Sequence, residues 1–259
     1  MTEPFDLKGK TILVAGGAGY LALPCCELLA DLGANLVIAD IDPARLEAAG
    51  KTVAGRGAEV TTLPLDIGDE ASILACVGGA AKVSGSLWGV VNATFGSTGA
   101  RFDDLTAEQF DRANRLNLTG TFLLAREAAR HMPTGGSLVM YSSMYGLVAP
   151  RPANYPAGMA PNPIEYGAGK AGIVQMVRYM AGHFGPRNIR VNAVAPGPFP
   201  HPPTQQGSAE FMDNLSRSTM LGRIGRRDEL AGPTAFLLSD ASSYVTGQCL
   251  SVDGGWTSW

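Results

Sequence analysis

The chain has 259 residues, of which 46% are hydrophobic and 17% charged, and its formal net charge is −3. A chain of this length buries a large core without a disulfide or a structural metal, and its slightly acidic balance argues against a nucleic-acid-binding protein. Its apolar runs are too short for a membrane span, no signal peptide is recognisable and the four cysteines lack metal-ligand spacing, so a cytoplasmic protein without a metal is expected.

The predicted elements alternate between strand and helix along the whole chain. Strands are predicted, in order, at 10–15, 35–40, 59–65, 87–92, 136–141, 189–195 and 249–252. Helices are predicted between them at 20–32, 43–50, 69–83, 106–132, 164–184 and 228–238. Alternation at this spacing forms right-handed βαβ units, so the pattern predicts one α/β domain over 1–259, with a doubly wound parallel sheet and helices on both faces.

Several predicted helix ends carry residues that are typical of helix termini. Gly33 follows the first helix, and Asp42 precedes Pro43 at the start of the second. Thr106 and Gln109 have the spacing of a capping box.

The segment 148–163 interrupts the alternation with five prolines. Proline at this density prevents a long helix and ends a strand. Because a long irregular stretch in a compact domain is usually a binding loop or a lid, substrate loops are expected at about 144–165 and 198–222. A surface excursion without a role is the alternative for the proline-rich segment.

A glycine-rich turn follows the first strand and leads into the first helix. The sequence of 15–22 is AGGAGYLA, in which Gly16, Gly19 and Ala22 leave room for a phosphate to approach the backbone. The helix N-terminus then presents free N–H groups to an anion. A plain tight turn needs the same residues, so a dinucleotide site is indicated only by the context.

Two carboxylates follow the next two strands. Asp40 ends the second strand and can accept hydrogen bonds from ribose hydroxyls, which favours NAD over NADP because a carboxylate repels a 2′-phosphate. Arg45 in the following helix could still reach a phosphate. Asp66 after the third strand is predicted either to bind the adenine amino group or to cap the next helix.

Tyr166 and Lys170 form a catalytic candidate at the start of a predicted helix. Their i,i+4 spacing places both side chains on one helix face. An ammonium about 4 Å from the phenol would stabilise the phenolate by about 4 kcal/mol at an effective dielectric constant of about 20, which lowers the tyrosine pKa by roughly three units before desolvation opposes the change. Two solvated helix residues are the alternative for this common pattern.

Other polar residues are expected at the same edge of the sheet, where α/β sheets bind ligands. Ser142 and Ser143 follow the fifth strand, and Pro196 and Gly197 follow the sixth. Asn117 lies among aliphatic residues in a helix, where an amide needs hydrogen-bond partners, so a role in a polar network is expected.

Together these motifs resemble the short-chain dehydrogenase/reductase family over essentially the whole chain. They are the glycine turn, Asp40, Asn117, Ser143, Tyr166-x-x-x-Lys170, Pro196-Gly197 and Val252-Asp253-Gly254-Gly255. The resemblance implies a Rossmann-type fold, a nicotinamide cofactor, a homotetramer or dimer, and interconversion of a secondary alcohol and a ketone. The expected substrate is a sugar, a polyol or a related small hydroxylated compound.

The resemblance also implies roles for individual residues. Tyr166 is the expected acid/base, Lys170 lowers its pKa and binds the nicotinamide ribose, Ser143 orients the substrate oxygen, and Asn117 supports a proton relay. The implied cofactor-binding residues are Gly16, Gly19, Tyr20, Leu21, Asp40, Asp66, Ile67, Asn92, Ala93, Tyr166, Lys170, Pro196, Gly197 and Phe199.

Four departures from the family pattern affect the expected cofactor site and substrate pocket. The threonine before the glycines is Ala15, and Tyr20 stands where the run usually has glycine. Residues 92–95 read NATF, which loses an amide that joins the cofactor loops, and 198–201 read PFPH in place of the threonine expected after Pro-Gly. The catalytic serine and tyrosine are separated by 22 residues, more than in the commonest members.

Two other functions stay open at this point. One is an epimerase or dehydratase that uses the same Tyr/Lys pair on a nucleotide sugar, which the short stretch after the sixth strand argues against. The other is a catalytically silent dinucleotide-binding protein, which the departures favour and the intact catalytic set disfavours.

His201 is a candidate second acid/base or substrate contact. Candidate pocket-lining residues are Phe95, Met144, Tyr145, Phe199 and Trp256.

Overall fold

A seven-stranded parallel sheet forms the centre of the computed structural model, which describes residues 4–259. The strands are β1 Thr11–Ala15, β2 Asn35–Asp40, β3 Val60–Pro64, β4 Gly89–Asn92, β5 Gly136–Tyr141, β6 Ile189–Pro196 and β7 Cys249–Val252. They pair in the order β3-β2-β1-β4-β5-β6-β7. From β1, the strands β2 and β3 extend to one side of the sheet and β4 to β7 to the other. This change in strand order between β1 and β4 opens a crevice at the carboxyl edge, where such sheets bind ligands.

Helices cover both faces of this sheet. In the described part of the chain they are α1 Leu23–Asp31, α2 Pro43–Ala54, α3 Glu70–Ala81, α4 Ala107–Asn114, α5 Gly120–Arg130, α6 Ile164–Phe184, α7 Pro202–Gly207, α8 Ala209–Arg217 and α9 Ala231–Leu238. A π-helical turn, Arg115–Thr119, joins α4 to α5.

Two apolar layers hold the helices against the sheet. Leu13 and Val37 belong to the layer beneath α3, α5 and α6, whereas Ile12 and Val14 belong to the layer beneath α1, α2 and α9. All five residues of β1 are buried because the strand is covered on both faces. The predicted doubly wound parallel sheet is therefore confirmed, and each predicted strand lies within one or two residues of its observed position.

Three of the predicted helix ends are confirmed in their atomic detail. Gly33 has φ +84°, a conformation that suits glycine after a helix. The Asp42 carboxylate accepts hydrogen bonds from two N–H groups at the start of α2. Thr106 and Gln109 form the capping box at the start of α4.

Other helix boundaries differ from the prediction. The helix expected over 106–132 contains the π-helical turn, and α1 begins at Leu23 because residues 16–22 form the glycine turn. The second helix does not stop at Gly50 but continues to Ala54. Gly50 packs so closely on β3 that an added Cβ would lie 2.8 Å from the methyl group of Thr62, which explains a glycine inside this helix.

Two helices, α7 and α8, lie within the loop expected at 198–222. The side chain of Ser208 caps α8 by accepting a hydrogen bond from Phe211 N. Phe211, Met212 and Leu215 then recur at helical spacing and pack into a small apolar cluster with Met144 and Trp256. This pattern was a usable signal for α8 that the sequence analysis missed.

The four cysteines are free thiols, of which Cys25, Cys26 and Cys76 are buried. Burial raises the pKa of Cys25 to about 11 and that of Cys76 to about 12. No helix in residues 4–259 combines the length and the apolar character needed to cross a membrane.

Candidate active site

A cleft runs along the carboxyl edge of the sheet from β2 to β6. Its inner part, about 440 Å³, is lined by the glycine turn, Ser143, Tyr166 and Lys170. An adjoining part of about 300 Å³ is lined by Asp40, Asp66 and residues of the glycine turn. We call the two parts together the glycine cleft. The fold thus brings most of the predicted cofactor and catalytic residues, which are far apart in the chain, to one surface.

The glycine turn approaches the loop after β4 closely. Gly16 has φ +73°, and a Cβ there would lie 3.1 Å from the backbone of Ala93. Ala93 N in turn donates a hydrogen bond to Ala15 O. Glycine is therefore required at residue 16 both by its conformation and by the space available. The cleft beside it is bordered by backbone, as close approach of a phosphate requires.

Tyr20, which replaces a family glycine, has its own contact. Its ring lies 4.6 Å from the ring of His201, centroid to centroid. His201 is exposed and immediately precedes α7. The departure at Tyr20 therefore joins the glycine turn to the segment that covers the cleft, and both side chains line the cleft.

Asp40 and Asp66 lie at the end of the cleft beyond the glycine turn. Asp40 is buried, accepts a hydrogen bond from Asp42 N and lies 3.6 Å from Arg45 Nη2. Asp66 is exposed and accepts a hydrogen bond from Gly68 N at 2.8 Å. The residue that caps α3 is Asp69, so the alternative prediction of a capping role for Asp66 is wrong. Ile67 packs below this end of the cleft.

A buried polar network ties β4 to the π-helical turn. The side-chain oxygen of Asn92 accepts hydrogen bonds from the N–H and hydroxyl of Thr94, and its amide donates to Thr121 Oγ1 at 2.9 Å. The hydroxyl of Thr121 donates to Asn117 O at 2.6 Å. The side chain of Asn117 bonds both the N–H and the carbonyl of Gly96. The hydrogen bonds of the Asn117 side chain thus place it in a polar network, as expected from the sequence.

Lys170 and Tyr166 lie at the inner end of the cleft, at the start of α6. The Lys170 ammonium is buried, donates to Tyr141 O at 2.8 Å, and lies 5.7 Å from the centroid of the Tyr166 ring. Burial lowers the pKa of Lys170 to about 7. Burial also raises the pKa of Tyr166, and a hydrogen bond with Ser143 opposes that rise. Desolvation has the larger effect on both groups, so the pKa of Tyr166 lies above its ordinary value in this arrangement; that Lys170 lowers this pKa stays a prediction.

The two serines after β5 make different contacts. Ser142 Oγ donates to Lys170 O at 2.8 Å and so fixes α6 against β5. Ser143 is buried, and its Oγ accepts a hydrogen bond from Tyr145 N while facing the phenol of Tyr166. Ser143 is therefore the serine whose hydroxyl lies beside Tyr166, and its expected role in orienting the substrate oxygen stays a prediction.

The strand β6 ends at the cleft with Pro196, and Gly197 N donates a hydrogen bond to Val252 O. Pro196 and Gly197 line the cleft next to Phe199. The half-buried ring of Phe199 packs against Gly225. Leu21, from the glycine turn, lines the opposite wall.

A second cavity of about 370 Å³ adjoins Ser143 and Tyr166 on the side away from the glycine turn. We call it the aromatic chamber. The proline-rich segment 148–163 forms one wall and the α7–α8 segment another. The chamber is lined by Met144, Tyr145, Tyr155, Met159, Asn162, Phe199, His201, Phe211 and Leu215, among others. The proline-rich segment is thus a wall of the site, which supports the expectation of a substrate loop.

Contacts between the two covering segments hold the chamber together. Tyr155 packs on Phe211, with ring centroids 5.3 Å apart. Asn154, which is buried, accepts hydrogen bonds from Ser218 through its side chain and from Asn214 through its main chain. The sequence analysis did not single out Tyr155, Asn162 or Phe211, whereas Tyr145 and Phe199 were expected there.

A further link was also missed. Glu165, next to the catalytic tyrosine, is fully buried, and its Oε1 accepts hydrogen bonds from the N–H and the hydroxyl of Thr98. This carboxylate ties the loop after β4 to the first turn of α6. Trp256, expected in the pocket, is instead buried in the cluster with Met144 and Leu215.

The chain matches known proteins over nearly its whole length. A family model described as "Enoyl-(Acyl carrier protein) reductase" matches residues 17–257. A 2,5-dichloro-2,5-cyclohexadiene-1,4-diol dehydrogenase of Sphingobium indicum is 34% identical, with 97% of this chain and 98% of the relative covered.

Solved structures give the same result. The short-chain dehydrogenase/reductase of Serratia marcescens is 30% identical, with a TM-score of 0.89 over 99% of this chain and 100% of that one. A gluconate 5-dehydrogenase of Burkholderia cenocepacia, in complex with NADP and tartrate, is 28% identical, with a TM-score of 0.89 over 99% and 98% of the two chains.

Proposed function

The chain belongs to the short-chain dehydrogenase/reductase family, and from that premise we propose that it is an NAD(H)-dependent oxidoreductase that interconverts a small neutral secondary alcohol and its ketone. The observation that carries the proposal is that Ser143 and Tyr166 line both the glycine cleft and the aromatic chamber, while Lys170 lines the glycine cleft. A cofactor in the first cavity and an alcohol in the second would meet at Ser143 and Tyr166.

The residues of the glycine cleft fit a dinucleotide. The positive φ of Gly16 and its close approach to Ala93 leave backbone, not a side chain, at this point of the cleft. Asp40 and Asp66 offer carboxylate oxygens at the far end, and Lys170 offers a cation at the inner end. When bound, the nicotinamide supplies the hydride acceptor or donor.

The protein's own side chains would transfer the proton. Ser143 Oγ would hold the substrate oxygen, and Tyr166 would take the hydroxyl proton during oxidation or return it during reduction. A neutral phenol is a weak base, so the charge of Lys170 has to oppose the effect of burial on Tyr166. Negative phosphates nearby would favour the ammonium form of Lys170, whose pKa burial alone lowers to about 7.

The preference for NAD rests on Asp40. Its carboxylate is buried at the end of β2, so its position is fixed, and it would lie close to a 2′-phosphate without solvent to screen the repulsion. Arg45, 3.6 Å away, is mostly exposed and pairs with the Asp40 carboxylate. This pairing partly neutralises the positive charge that Arg45 could offer to a 2′-phosphate.

The aromatic chamber favours a neutral, compact substrate. None of the residues that line it carries a carboxylate, an ammonium or a guanidinium, and most are aromatic, methionine or proline. An open-chain polyol needs a hydrogen-bonding partner for each hydroxyl, and the apolar majority of these walls offers none. An alicyclic alcohol presents apolar faces, and the Sphingobium relative is named for a cyclohexadiene diol.

The first test is cofactor binding followed by turnover. We expect a fluorescence titration to give tighter binding of NADH than of NADPH, and a panel of cyclohexanol, cyclohexanediols and linear polyols to show turnover by absorbance of the reduced cofactor. Tyr166→Phe should lower kcat by at least about 100-fold and leave the Kd of NADH within about twofold, because general acid–base catalysis contributes about 10²–10⁴-fold. Failure to bind either cofactor would contradict the proposal, whereas cofactor binding without turnover of any alcohol would favour a catalytically silent dinucleotide-binding protein.

A further inference from the structure

The walls of the aromatic chamber are mainly apolar, and they include a pair of phenol hydroxyls that bond each other. Tyr145 Oη and Tyr155 Oη are 2.8 Å apart and hydrogen-bonded to each other. Asn162 N donates to Tyr155 Oη at 3.3 Å. Tyr145 is buried, and burial raises its pKa well above the ordinary value, so this phenol stays protonated at neutral pH.

The two phenols of this pair carry one O–H hydrogen more than their protein partners can accept. Two phenols carry two O–H hydrogens, and their mutual hydrogen bond uses one of them. Asn162 N brings a donor, not an acceptor. Neither hydroxyl has another protein partner in residues 4–259, so whichever phenol donates to the other, one O–H has no protein acceptor. The spare O–H, on buried Tyr145 or on half-buried Tyr155, is therefore a donor that a ligand oxygen in the chamber can accept.

Asn162 supplies the complementary group. Its Oδ1 is buried and accepts no hydrogen bond in the described part of the chain. The residue lines both the aromatic chamber and the glycine cleft beside Tyr166. The spare acceptor is therefore Asn162 Oδ1, and the spare donor is one of the two phenol O–H groups. The two side chains are neighbours because Asn162 N bonds Tyr155 Oη.

We propose that Tyr145, Tyr155 and Asn162 form a recognition site for a second hydroxyl of the substrate, so that the preferred substrate of the dehydrogenase is a diol. The inference rests on the proposed function, since Ser143 and Tyr166 take the reacting oxygen. The second hydroxyl accepts from the spare phenol O–H and donates to Asn162 Oδ1. A ketone or a carboxylate in its place only accepts, and a carboxylate finds no cation among the lining residues.

The test compares cyclohexanol with cyclohexane-1,2-, 1,3- and 1,4-diol. Wild-type protein should show a kcat/KM for at least one diol that is about tenfold above that for cyclohexanol, since two neutral hydrogen bonds are added. A single Tyr→Phe change leaves one phenol with a free O–H, so the informative variant is the double one, Tyr145→Phe with Tyr155→Phe. It should lose about 3- to 15-fold in kcat/KM for that diol and stay within about twofold for cyclohexanol.

Two further variants make the result decisive. Asn162→Ala should lower kcat/KM for the diol selectively, by a similar factor, and it serves in place of the double variant if that protein does not fold. Tyr244→Phe changes a fully exposed tyrosine and is the matched control. An equal loss for the diol and cyclohexanol in the double variant and in Asn162→Ala would overturn the proposal, because it would indicate a structural role only.

Calorimetric titration separates this proposal from the proposed function. If wild-type protein binds NADH but turns over no alcohol, the proposed function fails on its own. Diol binding to the NADH complex that is weakened in the double variant would still support the recognition site. No preference for any diol over cyclohexanol, in turnover or in binding, would overturn the recognition site while turnover of cyclohexanol left the dehydrogenase function standing.

Discussion

At the scale of single residues, desolvation has the largest effect on the pKa values of Lys170 and Tyr166. Lys170 and Tyr166 are both buried enough that the charged form of each is disfavoured. The sequence showed their i,i+4 spacing but not the depth at which α6 is packed. The spacing argument predicted the attraction between the two groups and that desolvation opposes it, but not which of the two effects is larger.

Burial of Lys170 makes the stability of the protein depend on pH. The pKa of Lys170 is about 7 in the folded protein, against an ordinary value of 10.5, so the unfolded chain binds more protons between these two values. The free energy of unfolding of wild type, relative to Lys170→Met, should therefore rise with pH from 7 toward 10.5, by at most about 1.4 kcal/mol per pH unit. Urea unfolding of both proteins at pH 7, 8 and 9 measures this difference, and a flat or falling difference would contradict it.

The carboxylate of Asp40 is expected to set the cofactor preference. Asp40→Ser removes the repulsion of a 2′-phosphate and releases Arg45, which should tighten NADPH binding about tenfold relative to NADH, or about 1.4 kcal/mol. The Kd values of both cofactors by fluorescence titration give the ratio. In Asp40→Ser with Arg45→Ala most of the gain should disappear, and an unchanged ratio in the single variant would assign the preference to other residues.

Close packing between neighbouring segments decides where the elements of the site lie. Gly120 begins α5 directly after the π-helical turn, and a Cβ there would lie 2.3 Å from Ile67 O. The loop that carries Ile67 also carries Asp66 at the end of the cleft. The distance between α5 and this loop is therefore set by the missing side chain of one glycine.

A pair of glycine variants tests this contact. Gly120→Ala should lower the free energy of unfolding by about 1–3 kcal/mol, because the clash is with backbone and one of the two segments has to move. Gly182→Ala is the matched helical control, since Gly182 lies exposed in α6 with nothing within 4 Å of an added Cβ. It should be neutral or stabilise the protein by up to about 1 kcal/mol. Equal effects of the two changes in urea unfolding would mean that α5 adjusts without cost.

The sheet could be predicted from the sequence because each strand is a short apolar run bounded by turn residues. The glycine turn, Asp40 and Ser143 were predictable for the same reason, since each directly follows a strand and its place at the sheet edge is local information. The walls of the aromatic chamber were not predictable in this way. Tyr155 and Phe211 come from irregular or short segments that meet only through long-range packing, which has no signature in sequence spacing.

At the scale of the whole molecule, exposed apolar side chains suggest self-association. On α6, Ile164 is 50% and Tyr179 75% exposed, and Phe122 on the neighbouring α5 is 45% exposed. Large apolar side chains on adjacent helices are typical of a surface that another chain covers. We propose that these two helices pack against a second copy of the chain.

The mass in solution tests this proposal. Light scattering at micromolar concentration should give a multiple of 27.0 kDa, and four copies correspond to about 108 kDa. Tyr179→Glu together with Phe122→Glu should shift the mass toward that of a smaller species, because charges would be buried in the interface. A wild-type mass of one chain would contradict the proposal.

The buried thiols give the protein a chemical reporter of its own folding. A thiolate, not a thiol, reacts with alkylating reagents, and burial keeps Cys25 and Cys76 protonated far above neutral pH. Brief exposure to iodoacetamide should therefore label these residues only in molecules that have opened. Because Cys25 lies in α1 and Cys76 in α3, on opposite faces of the sheet, mass spectrometry of the two labelled peptides can show whether the two layers open together or one before the other.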